Sequence, residues 1–114
     1  MAAKVARSEV WIVDLGMVAK IRPCLVVSIP SGDENDRVLT TLVPHTTSTR
    51  KSRFEIVVRT SFLKEGAFDT QNIITIPTAK LVRKLGKLTA DQLSEVEASI
   101  KNWLGIDHLP SEGS

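Results

Sequence analysis

The stretch Ile21-Arg22-Pro23-Cys24-Leu25-Val26-Val27-Ser28 decides how the rest of the chain is read. Four consecutive apolar residues, Cys24 to Val27, are rich in branching and suit a strand buried on both faces. Pro23 has no N–H for a ladder, so it is expected at the first position of a strand over residues 23–29, closed by Pro30. Arg22 precedes it, with its backbone freedom limited by the proline that follows. A cation fixed at a strand mouth points to an anion there.

Toward the N-terminus, residues 9–15 (Glu-Val-Trp-Ile-Val-Asp-Leu) read as a strand, and Gly16 breaks it before a short connection that carries Lys20. Toward the C-terminus, Ser-Gly-Asp-Glu-Asn-Asp at 31–36 reads as a solvated hairpin loop. A third strand is expected over 38–43, closed by Pro44. The stretch His-Thr-Thr-Ser-Thr-Arg-Lys-Ser-Arg at 45–53 holds no apolar residue and reads as a basic loop. A fourth strand follows over 54–59, an irregular segment over 62–70, and a fifth strand over 72–77. Short strands with turn signals at this spacing predict a compact antiparallel barrel or sandwich.

The last element has a different period. Thr89 and Gln92 form a capping-box pair, after which Leu93, Val96, Ile100, Trp103 and Leu104 share one helical face. Gly105 suits the left-handed cap that ends such a helix. The expected organisation is one mainly-β domain over residues 9–105 with a C-terminal helix. Residues 1–8 are expected to fray and 106–114 to trail as a flexible tail.

The 114 residues have room for a single core, and their 42% apolar and 25% charged content is ordinary for a folded domain. There is no apolar run of membrane-spanning length and no apolar signal-peptide core, so no membrane contact is expected. One cysteine excludes an internal disulfide framework and fits a reducing cytoplasm. One cysteine and two distant histidines do not make a zinc site, so neither a metal nor another cofactor is expected. The net charge of +2 is modest, but its distribution is uneven. Arg50, Lys51 and Arg53 form one basic group and Lys80, Arg83, Lys84 and Lys87 another, while acids gather over 33–36 and 91–97.

Arg22 at a strand entrance, His45-Thr46-Thr47-Ser48 after the third strand, and Asp69, Gln71 and Asn72 before the fifth could converge at one rim of a small barrel. Such a set suits a phosphodiester. An arginine binds two non-bridging oxygens and stabilises charge developing on them. A threonine hydroxyl orients a phosphate oxygen, and a histidine moves protons near neutral pH. RNA supplies its own nucleophile, the 2′-hydroxyl, and a basic loop at Arg50, Lys51 and Arg53 would track its backbone. Cys24 reads as an inert buried thiol, Trp11 as core and Trp103 as packing.

Taken in order, residues 9–15, Arg22-Pro23 leading into Val26-Val27-Ser28, Val43-Pro44-His45-Thr46-Thr47, Phe54-Glu55-Ile56-Val57 and Leu85-Gly86-Lys87-Leu88-Thr89 with its helix resemble the MazF/PemK family of toxin endoribonucleases. The resemblance implies an SH3-like small antiparallel barrel with a C-terminal helix, and a cytoplasmic homodimer. It also implies metal-independent, sequence-selective cleavage of single-stranded RNA, mRNA above all, and neutralisation by a cognate antitoxin protein. The family's catalytic arginine and threonine fall on Arg22 and Thr46, with His45 a candidate acid or base. Lys20, Ser28, Thr47, Ser48, Arg50, Lys51, Arg53 and Gln71 are the candidate RNA contacts. The connection before Arg22 is shorter than usual in the family, and the usual Asp-Gln pair is offset, with Thr70 before Gln71 and Phe68 upstream. A topoisomerase-poisoning toxin and an RNA-binding module without cleavage are the competing readings of the same fold.

Overall fold

Branched and aromatic residues build the first two strands, β1 (Glu9–Asp14) and β2 (Ile21–Val26), which pair antiparallel with Val10 opposite Leu25 and Val13 opposite Arg22. The computed structural model describes residues 4–16 and 20–106. The strands that follow are β3 (Leu39–Thr46), β4 (Glu55–Ile56), β5 (Ala67–Asp69), β6 (Ile74–Pro77) and β7 (Leu81–Lys87), and helix α1 (Ala90–Leu104) is the last element among the described residues. The sheet runs β4-β5-β3-β2-β1-β7, with β6 also paired to β3. Every pairing is antiparallel.

The central strands are buried on both faces, as the apolar run at Cys24 to Val27 predicts. Val10, Leu25, Val43 and Phe68 join helix residues Leu93 and Val96 in one core. Their strand neighbours Trp11, Val13, Cys24, Val26 and Leu42 point the other way and pack with Leu81. Strands β6 and β7 lie on opposite edges of β3-β2-β1, yet only Thr78–Lys80 separates them. So short a link requires the sheet to roll until its edges approach. Among the described residues β6 and β7 do not pair, so the predicted barrel is a rolled, open sheet joined by the chain at its seam. A hydroxyl pair, Thr40 Oγ1 and Thr78 Oγ1 at 2.8 Å, ties the start of that link to β3.

Several element boundaries differ from the sequence expectation. Pro23 is the third residue of β2. It stands opposite Ile12, and pairing with β3 starts one residue later at Cys24, so no ladder bond is lost. Strand β2 ends at Val26 because the Ser28 side-chain oxygen, 3.0 Å from the Thr41 N–H, takes the next bonding position. Strand β3 passes through Pro44 and does not stop at it. One edge of β3 pairs with β6 up to Leu42 and with β5 from His45, and Pro44 falls in the gap. The segment expected to be irregular contains β5, and residues 54–59 hold only the two-residue β4.

Strand β7 was hidden by its charges and by register shifts against β1 between Val10 and Trp11 and between Ile12 and Val13. Each shift moves the next side chain to the other face and erases the period of two. Within it Lys84 reaches Glu9 at 3.1 Å. Burial alone would raise the Glu9 carboxyl. Hydrogen bonds from Trp11 Nε1 and the Ala6 N–H, with the Lys84 ammonium, bring it below its ordinary value.

Helix α1 keeps its predicted caps. Thr89 Oγ1 accepts from the Gln92 N–H at 3.1 Å, Gln92 Oε1 accepts from the Thr89 N–H at 2.9 Å, and Gly105 takes the left-handed conformation. Trp103 is 42% exposed and meets the Phe54 ring edge-on at 5.3 Å. Arg7, ion-paired to Glu97, links the start of the described chain to the helix, and Ser8 is buried with its N–H on the Val26 carbonyl. The remainder of the predicted frayed start (residues 1–3), of the short connection (residues 17–19) and of the tail (residues 107–114) lies outside the described residues.

Candidate active site

Continuation of β3 through Pro44 makes His45 and Thr46 strand residues, so their side chains point to opposite faces. Pro44 and Thr46 face a cavity of about 490 Å³, which Arg22 of β2 also lines, with Ser48, Thr49, Arg50, Glu55, Asp69 and Asn72 around it. The Thr46 hydroxyl is held in a local turn, accepting from the Ser48 N–H at 3.0 Å. Glu55 Oε1 accepts the N–H groups of Arg50 at 2.8 Å and Ser52 at 3.1 Å, which shapes the basic loop from its base. Asp69 caps the turn Thr70–Asn72, accepting from the Gln71 N–H at 3.2 Å and from the Asn72 amide. The cavity thus holds two guanidinium-bearing residues, a fixed hydroxyl and two carboxylates already engaged in shaping its walls.

Gly66 sets how closely β5 approaches this strand. A Cβ at Gly66 would lie 2.1 Å from the Thr46 carbonyl oxygen and 2.8 Å from His45 Cε1, so only glycine fits.

His45 lies on the other face of β3 and does not share the Arg22–Thr46 cavity. It is 3% exposed and meets Phe68 edge-on at 5.0 Å, and its Nε2 has no hydrogen-bond partner among the described residues. It lines a neighbouring cavity of about 410 Å³ with Ile12, Pro23, Thr47, Phe62, Leu63, Lys64 and Leu85, and Arg22 forms part of that wall too. Burial pushes the imidazole below its ordinary value of 6.5, because a charged ring there would lose its hydration. The unfolded chain takes up that proton first, so stability is fully present above about pH 6.5 and falls as pH drops toward the folded-state value. We expect the urea midpoint to decline as pH falls below about 6.5, and His45→Leu to flatten that part of the curve.

The other candidates divide clearly. Ser48 and Arg50 share the cavity with Arg22 and Thr46, and Thr47 lines the adjoining one. Gln71 is exposed beside the cavity while its neighbours Asp69 and Asn72 line it. Lys20 and Lys51 are exposed outside both cavities, and Arg53 is engaged over the Phe54 ring at 4.6 Å. Ser28 lies elsewhere, lining cavities with Ile29 and Val38 and with Arg7 and Ile100. Glu55 was not singled out in the sequence, because its role lies in backbone bonds to its own loop, which no spacing reveals. Cys24 is buried, and burial drives its thiol up to about 12 against the opposing effect of the Arg22 cation, so it stays neutral and inert. Among the described residues no group of three or more His, Cys, Asp or Glu could hold a metal ion, and no helix is long and apolar enough to cross a membrane.

A rolled antiparallel sheet with one capping helix, and a cavity pairing Arg22 with Thr46, define a small β domain with a candidate oxyanion site. Residues 6–104 match the family described as PemK-like, MazF-like toxin of type II toxin-antitoxin system, and the chain belongs to that family. Among solved structures it is similar to the Mycobacterium tuberculosis toxin MazF-mt6, at 27% identity and a TM-score of 0.71 over 88% of this chain and 99% of that one. A mycobacterial endoribonuclease in complex with its cognate antitoxin aligns at 23% identity with a TM-score of 0.78, over 92% and 99%. The MazE-MazF complex from Deinococcus radiodurans aligns at 19% identity with a TM-score of 0.76, over 92% and 99%. No curated protein matches the chain significantly.

Proposed function

We propose that this toxin is an endoribonuclease that cleaves single-stranded RNA without a metal ion, and that the Arg22–Thr46 cavity is its catalytic centre. The observation that carries the reading is the meeting of Arg22, Thr46, Ser48 and Arg50 around one cavity from two strands and a loop. The Arg22 guanidinium binds the non-bridging oxygens of the scissile phosphate and stabilises the extra charge of the pentacoordinate intermediate. The Thr46 hydroxyl, oriented by its turn, positions the phosphate. The ribose 2′-hydroxyl attacks the phosphorus, the bond to the 5′-oxygen breaks, and the products are a 2′,3′-cyclic phosphate and a 5′-hydroxyl. The carboxylates lining the cavity, Glu55 and Asp69, are the side chains we assign to moving those protons, in addition to the wall bonds they accept. Arg50 contacts the RNA backbone beside the cut, with Lys51 extending the basic loop.

The protein acts in the cytoplasm as a homodimer, and a cognate antitoxin neutralises it. Family membership and the antitoxin complexes among the similar structures support this. The test is incubation of the purified protein with RNA in excess EDTA. Persistent cleavage with cyclic-phosphate ends is expected. Loss of cleavage in EDTA would overturn the mechanism.

A further inference from the structure

The centre proposed above accounts for one phosphate, and an RNA strand carries another on either side of it. The cavity around Arg22 and Thr46 shares Thr49 with a further cavity of about 500 Å³. That further cavity in turn shares Thr47, Leu63 and Lys64 with the one of about 410 Å³, whose wall returns to Arg22. The three therefore adjoin one another around the residues that follow β3. In the 500 Å³ cavity Arg59 and Lys64 supply two cations, and Thr47 and Thr49 are exposed hydroxyl-bearing residues beside them. Glu65 is the one carboxylate among the described residues lining it. Glu65 Oε2 accepts from Arg59 Nη1 at 3.1 Å, with the two side chains 90% and 76% exposed. An ion pair so open to water contributes little. A phosphate offers a guanidinium two parallel N–H···O bonds, where Glu65 takes one. Lys64 makes no ion pair among the described residues.

The geometry points to a second phosphate subsite in this cavity. Resting on the RNA-cleavage reading, Arg59 and Lys64 hold a backbone phosphodiester that flanks the scissile one, and that phosphate displaces Glu65 from Arg59. In the empty protein Glu65 keeps the guanidinium at the cavity and stands in for the anion. When RNA arrives it competes, so the affinity is lower than the two cations alone would give. The two members of one surface ion pair therefore act on RNA with opposite sign. A pair that only braced the segment before β5 would shift RNA binding the same way whichever member was removed.

The experiment measures binding of a fluorescent 2′-O-methyl RNA, which lacks a free 2′-hydroxyl to attack, by anisotropy over a range of salt. Arg59→Ala and Lys64→Ala are each expected to weaken binding about three- to tenfold and to reduce the salt slope by about 0.7. Glu65→Gln should tighten binding about two- to threefold, and most of that gain should vanish in the Arg59→Ala background. The same strand is then made with a single neutral methylphosphonate at each phosphate in turn. In the wild type one position other than the scissile phosphate should cost affinity, and Arg59→Ala should abolish that cost. The same cost at every position in both proteins overturns the subsite and leaves the nuclease reading standing, as does an unchanged salt slope in both alanine variants. Weaker binding by Glu65→Gln overturns the displacement and needs no arginine variant to fold. A wild type that binds this RNA through Arg59 but cuts no all-ribose RNA removes the nuclease reading and keeps the subsite. A wild type that does not bind the RNA overturns both.

Discussion

Arg22→Ala is expected to lower single-turnover RNA cleavage by about 10²–10³-fold, the cost of about 2.7–4 kcal/mol for one charge-stabilising donor. The side chain sits at the entrance of β2 and lines the cavity with Thr46, so it is placed to meet charge that grows on the phosphate. Arg22→Lys should recover only a small part, because an ammonium supplies a charge without the paired donors of a guanidinium. The effect belongs in the rate of the bound complex more than in RNA affinity, since Arg50 and Lys51 still attract the backbone. Thermal melting of each variant controls for folding. A variant within about threefold of the wild type would remove Arg22 from the centre of the account.

Phe68→Ala is expected to destabilise the protein by about 3–5 kcal/mol, a large share of a small domain's stability. Phe68 is 0% exposed and joins the core of Val10, Leu25, Val43, Leu93 and Val96, so its ring links β5 to both the sheet and the helix. It also supports the His45 imidazole edge-on at 5.0 Å and lies opposite His45 in the β3–β5 register. Truncation leaves a void beneath the cavity wall, whereas Phe68→Leu keeps most of the volume and should cost less. Urea unfolding read by tryptophan fluorescence gives the number, with Trp11 in the second core as a reporter. A loss below about 1 kcal/mol would show that this core repacks freely.

The sequence made some of these features legible and hid others for definable reasons. β2 was readable because Cys24 to Val27 pack on both faces of the sheet and need apolar side chains at every position. α1 was readable because its caps are local, formed within the span from Thr89 to Gln92 and at Gly105. β3 beyond Pro44 was not readable, since a proline is tolerated there only because β6 and β5 leave a gap between them, a fact of tertiary pairing. β5 was hidden in the same way: Ala67 and Phe68 are strand residues because Gly66 lets the chain lie against Thr46.

Within the site, Arg22 and Thr46 came from the resemblance together with the logic of a cation at a strand mouth. The opposite facing of His45 depended on knowing that it lies within a strand. The offset of Asp69 from Gln71 proved to be a cap. Asp69 bonds the Gln71 N–H at the start of a short turn, and that turn places Asn72 with Asp69 on the cavity wall.

The claim at the centre is that Arg22 and Thr46 promote attack by the RNA's own 2′-hydroxyl. The measurement that tests it most directly is cleavage, in excess EDTA, of one preferred RNA sequence and of the same RNA with a single 2′-deoxy substitution at the nucleotide preceding the cut. The all-ribose strand is expected to be cut to a 2′,3′-cyclic phosphate and a 5′-hydroxyl, and the substituted strand to stay intact at that position. Cleavage of the substituted strand at the same phosphate would contradict it, because the nucleophile would then come from the protein or from water.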